Sequence, residues 1–149
     1  MIQDIAIGLG IVVNLVATEI FGLASGGFVV PGYLALFLNR PLRILATYSL
    51  AILTWVFVRF VLSRIMVLYG RRRFAVTLLV GFVVGFAAER ISGAVPGLPG
   101  ELRSIGYLIP GLLAAGMLSD GVLPTCAVSL GGAAIVRLLL AALGALRLL

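Results

Sequence analysis

The chain has 149 residues, the length of one ordinary domain, yet 62% of them are hydrophobic and only 11% are charged. A soluble domain is roughly 45–50% apolar and about 25% charged, so the polar surface that would cover a water-soluble globule is missing. A mean hydropathy of +1.27, carried in long apolar runs, argues against disorder, and the single cysteine, Cys126, can close no internal disulfide.

Histidine is absent, and all eleven basic residues are arginine against five carboxylates, a net charge of +6. The commonest ligands for zinc, haem and iron–sulfur centres are therefore missing, so no metal site is expected. A Ser-His-Asp or Cys-His group is excluded for the same reason, and no catalytic residue is assigned. The arginines punctuate lipid-like segments instead of forming a basic face on a soluble module. The expected partner is a membrane surface or an anionic solute, with no nucleic acid.

In chain order, the first expected span runs from Ile5 to about Ala24, interrupted by Asn14 and Glu19. No basic region precedes it at Met1-Ile2-Gln3-Asp4, so it reads as a retained helix and not a secretory signal. Phe28–Leu38 follows; as a helix its eleven residues rise only about 17 Å against a hydrocarbon core of roughly 30 Å. The second long run, Leu42 to Tyr69, exceeds a minimal span. Leu68-Tyr69-Gly70-Arg71-Arg72-Arg73-Phe74 then reads as a tight glycine turn presenting three arginines. Phe74 to Ala88 is the third span, with Gly81-x-x-x-Gly85 as a helix-packing pair. Ile105–Leu118 is a second short segment, and Val122 to Leu149 is the last span.

Each short segment carries a Pro-Gly pair, Pro31-Gly32 and Pro110-Gly111, where a helix starts or breaks. Broken backbone at membrane depth is tolerated where protein buries it or a wet cavity adjoins it, so these segments are expected to be re-entrant and to mark a functional core. They also resemble each other. Gly27–Ala35 aligned with Gly106–Ala114 gives five identities in nine at an offset of 79 residues. Shared Gly, Pro-Gly and intramembrane Arg (Arg59, Arg137) predict two tandem repeats, about 5–73 and 74–149, within one membrane domain. The expected fold is thus an all-α integral membrane protein in which each repeat is helix, short broken segment, helix: about four full spans and two short segments.

With the short segments re-entrant, arginine placement puts both termini and Arg71, Arg72 and Arg73 in the cytoplasm, as a topology anchor or a docking face. Arg40, Arg43, Glu101 and Arg103 then lie on the outer face. If the short segments cross fully, there are six crossings and the repeats are inverted. Glu19, Arg59 and Arg137 fall within apolar runs, where a charge costs a few kcal/mol and needs a partner or a route to water. They join Pro31, Gly32, Tyr33, Pro110 and Gly111 as candidates for a solute path or the repeat core, with Glu19 a candidate ion-pair partner for an arginine of the other repeat.

Four separated motifs carry a family resemblance: Val29-Val30-Pro31-Gly32-Tyr33-Leu34, Asn39-Arg40-Pro41, Met66-Val67-Leu68-Tyr69-Gly70-Arg71-Arg72-Arg73-Phe74-Ala75, and Glu101-Leu102-Arg103-Ser104-Ile105-Gly106 leading to Ile109-Pro110-Gly111-Leu112. In this order, and along most of its length, the chain resembles the PgsC/CapC membrane subunit of bacterial poly-gamma-glutamate (capsule) synthases. The resemblance implies a place in the bacterial cell membrane, in a complex that makes and exports an anionic polymer. It implies a separate PgsB/CapB-like ATP-dependent ligase, which would hold ATP and a divalent metal, and a PgsA/CapA-like subunit with a large extracellular part. This chain would carry no cofactor and no catalysis alone. Two other readings suit the residues: a stand-alone transporter or channel for an organic anion, and a structural anchor that conducts nothing.

Overall fold

The computed structural model describes residues 2–22, 27, 29–67, 69–94 and 106–145. Glu101 and Arg103 lie outside these residues. Six helices are described: α1 (Ile2–Phe21), α2 (Val30–Phe37), α3 (Pro41–Ile65), α4 (Gly70–Ala94), α5 (Leu108–Asp120) and α6 (Val122–Ala145). No strand occurs among the described residues.

Helices α1, α3, α4 and α6 are long and apolar enough to cross a bilayer, as the hydrophobic runs predict. Their outward sides expose Leu15, Leu53, Phe82 and Leu138, side chains that suit lipid tails. The short helices occupy the middle. With eight and thirteen residues, α2 and α5 rise only about 12 and 20 Å, and most of their residues are buried. Proline sits in the first turn of α2, where its missing N–H costs nothing.

Inside lipid, apolar side chains gain little by leaving their surroundings, so helices associate through close backbone approach and hydrogen bonds. Glycine provides the approach. Gly32 of α2 lies against Ala6, Ile7 and Gly10 of α1, and a Cβ on Gly32 would stand 2.7 Å from the Ala6 carbonyl. Gly111 of α5 meets Leu78 and Gly81 of α4 in the same manner, while Gly85 faces Tyr107. Gly132 of α6 abuts Pro31, whose Cβ would be 3.1 Å from an added methyl. Buried hydroxyls of Thr47, Thr54 and Thr77 are satisfied within their own helices, on the carbonyls of Arg43, Leu50 and Arg73 at 2.7–2.8 Å. Between helices, the Tyr48 hydroxyl of α3 meets Ser129 Oγ of α6 at 2.5 Å.

These contacts fix helix directions. Gly85 with Tyr107, Gly81 with Gly111 and Arg73 with Leu118 run α4 and α5 antiparallel. Gly132 with Pro31 and Arg137 with Asn39 run α6 parallel to α2. Gly121, at φ 98°, is the single residue that turns α5 into α6, a conformation only glycine adopts without strain. The close of α2 and the close of α6 therefore gather at one end of the bundle, the Asn39 end. The close of α3, the start of α4 and the close of α5 gather at the other, the Leu118 end.

Arg137, toward the close of α6, stands at the Asn39 end, while Arg73, in the first turn of α4, stands at the Leu118 end.

Candidate functional site

Charged side chains collect at the two ends. At the Leu118 end, a cavity of about 310 Å³ is lined by Arg59, Ser63, Met66, Tyr69, Arg73 and Leu118, among others. Its position follows from local backbone. Helix α3 loosens into a π-helical stretch at Val58–Leu62, a form often found at functional positions. Ser63 Oγ donates to the Arg59 carbonyl and so holds that turn. The Arg59 guanidinium lies over the Trp55 ring, 5.3 Å from its centroid. Arg73 reaches from the first turn of α4 and donates from Nη2 to the Leu118 carbonyl at 2.7 Å. That carbonyl is one of the last in α5, where helix ends leave acceptors unpaired and favour cations.

The Asn39 end holds a related but not identical group. Arg137 Nη2 of α6 donates to Asn39 Oδ1 at 2.9 Å, just past the close of α2. The Arg43 guanidinium lies 5.5 Å from the centre of the Phe37 ring, and its Nε is buried with no hydrogen-bond partner among the described residues. Arg40 is exposed beside it.

Pro31, Gly32, Pro110 and Gly111 are buried in helix packing, with Tyr33 half-buried at their side. The space around the short helices is filled by Val30, Leu34, Leu113 and Met117, each almost wholly buried. Arg59 and Arg137 lie at opposite ends and share no partner. Glu19 is exposed on α1, and no ion pair joins it to Arg59 or Arg137 among the described residues. Arg71 and Arg72 are exposed, in contrast to the half-buried Arg73. Sequence reasoning missed Trp55 and Tyr48, and it named Tyr69 and Asn39 only within motifs, without the contacts they make. Asn39 had a signal, a lone amide directly before Arg40-Pro41; Trp55 had only its spacing of four from Arg59, one helical turn. No group of three metal-ligating side chains occurs among the described residues.

Four apolar spans around two buried Pro-Gly helices, with arginines gathered at both ends, define a small polytopic membrane protein suited to contact with anions. Residues 9–126 match the family model "Capsule biosynthesis CapC". The chain is 41% identical over 118 residues to "PGA biosynthesis protein CapC" of Bacillus subtilis (strain 168), covering 79% of each chain. It matches "Capsule biosynthesis protein CapC" of Bacillus anthracis to the same extent. The chain belongs to the CapC capsule-biosynthesis family. No solved structure matches it.

Proposed function

We propose that this chain is the membrane subunit of a poly-gamma-glutamate synthase, anchoring an ATP-dependent glutamate ligase and helping the polymer across the bacterial cell membrane. The observation that carries the reading is the family match over residues 9–126, joined to relatives named for PGA and capsule biosynthesis. The chain's own chemistry supports a division of labour. A ligase must activate a carboxylate with ATP and a metal, groups that a PgsB/CapB-like partner would hold, and a PgsA/CapA-like subunit would complete the complex outside.

Arginine density at the Leu118 end, with Arg64, Arg71 and Arg72, supports a reading in which that end faces the cytoplasm and the ligase. With six crossings, both termini and Arg40 then face outward. We further read residues 5–73 and 74–149 as a duplicated pair of opposite orientation. In support, α2 lies on α1 and α6 while α5 lies on α4 and α3. The filled space around the short helices favours a polymer route shared with another subunit over one through a single chain.

Membranes co-expressing a candidate ligase, with and without this chain, test the reading. Polymer formed and exported only in its presence is expected; equal synthesis and export without it would remove the proposal. A ligase retained through mild detergent purification distinguishes a synthase subunit from a stand-alone anion transporter.

A further inference from the structure

Two arginines from different helices, Arg59 of α3 and Arg73 of α4, line one cavity of about 310 Å³. Like charges held at one concavity repel, and an anion between them relieves that repulsion. Among the described residues neither is paired with a carboxylate: Arg73 gives one N–H to the Leu118 carbonyl, and Arg59 stacks on Trp55. A guanidinium has five N–H donors in a planar fork, so both retain donors for a ligand. The Trp55 indole N–H beneath Arg59 is likewise buried and without a partner among the described residues. Tyr69 adds a hydroxyl-bearing ring to the wall, and Val58, Met66 and Val67 supply an apolar lining. The volume lies near the lower limit of small-molecule clefts, roughly 300–1,000 Å³, enough for a short stretch of flexible chain and not for a folded partner.

We propose that Arg59 and Arg73 form a carboxylate-binding site that holds successive free carboxylates of a γ-linked glutamate chain at the Leu118 end. The proposal rests on the synthase reading and names the groups that meet its polymer. The planar fork of Arg59, over the Trp55 ring, takes one carboxylate side-on. Arg73 takes the next, and the apolar lining accepts the methylenes between them.

Trp55 is the only tryptophan in the chain, so its emission reports on Arg59 directly. The full chain in phosphatidylcholine nanodiscs is titrated with a γ-linked glutamate hexamer at low salt. The expected result is a saturable change in Trp55 emission, weakened about tenfold or more by R59Q or R73Q, and absent with a hexamer whose carboxylates are methyl esters. R59K keeps the charge but loses the fork and should bind more weakly than the parent chain. Thermal melts of each variant identify unfolded protein, and R59K supplies the comparison if R59Q does not fold. Equal hexamer binding in the R59Q/R73Q double variant would overturn the site. So would nanodiscs of phosphatidylglycerol that shift Trp55 emission by themselves and leave no hexamer effect, since a lipid phosphate would then be the occupant. In the co-expression assay, a dependence of polymer yield on this chain that R59Q/R73Q does not alter sinks the site and leaves the synthase role standing. Yield independent of the chain sinks the role itself.

Discussion

Gly81 of α4 and Gly111 of α5 approach so closely that a methyl on Gly81 would meet the backbone of Gly111. Neither backbone can swing aside as a flexible side-chain end does, so even alanine forces the helices apart. Gly81→Ala should destabilise the fold by about 1–3 kcal/mol, the usual cost of overpacking. Gly131→Ala, where nothing stands within 4 Å, should cost nothing. Thermal unfolding of the two variants in the same detergent checks the contrast; equal melting temperatures would contradict the close approach.

The Tyr48–Ser129 hydrogen bond ties α3 to α6 at 2.5 Å. Hydrogen bonds between membrane helices average about 0.6 kcal/mol and reach about 1.7 kcal/mol. A double-mutant cycle of Tyr48→Phe and Ser129→Ala, read by unfolding in dodecyl sulfate, should give a coupling within that range. A coupling of zero would mean that the two hydroxyls do not meet.

The three consecutive arginines should separate by role. Arg73 is half-buried and bonded to the Leu118 carbonyl, so Arg73→Gln should lower stability by about 1 kcal/mol. Arg71→Gln and Arg72→Gln, both exposed, should leave stability unchanged. Each should instead weaken binding of the detergent-purified chain to anionic vesicles by about 1 kcal/mol, roughly fivefold. Melting curves and vesicle co-sedimentation measure the two effects.

Helix direction is testable with thiol labelling in a Cys126→Ala background. Arg40→Cys belongs to the Asn39 end and Arg72→Cys to the Leu118 end, and six crossings put Gln3→Cys with Arg40→Cys. An impermeant maleimide should label Gln3→Cys and Arg40→Cys from one face of sealed vesicles and Arg72→Cys from the other. Labelling of Gln3→Cys and Arg72→Cys from one face and of Arg40→Cys from the other would restore the re-entrant topology.

Much of this was legible beforehand because lipid imposes a coarse demand. Twenty apolar residues are either present or not, so the four spans and both Pro-Gly helices stand out in the composition itself. Gly81-x-x-x-Gly85 likewise proved to be a packing face, as small residues four apart imply. Direction was harder. Pro31 and Gly32 dock against Gly10 and Gly132, and although Gly131-Gly132 reads as a packing pair in the last span, nothing in the sequence pairs it with Pro31. Arg59 and Arg137 were visible as charges in apolar runs, but their partners were not. Asn39 lies 98 residues from Arg137, and the second guanidinium beside Arg59 comes from across a turn, so only the packed helices bring them together.

The antiparallel course of α4 and α5, set beside the parallel course of α2 and α6, bears on how a polymer would know which way to go. Each end of the bundle offers an arginine near the close of a short helix, and each holds a cavity, of about 310 Å³ beside Arg59 and Arg73 and of about 560 Å³ beside Glu89 and Arg90. A vectorial bias must then come from what differs: Arg137 gives one N–H to the side-chain amide of Asn39 on one side, while on the other Arg59 and Arg73 line one cavity. Exchanging those few side chains between the ends, with the helices left as they are, would reverse the chemical gradient that a polyanion meets.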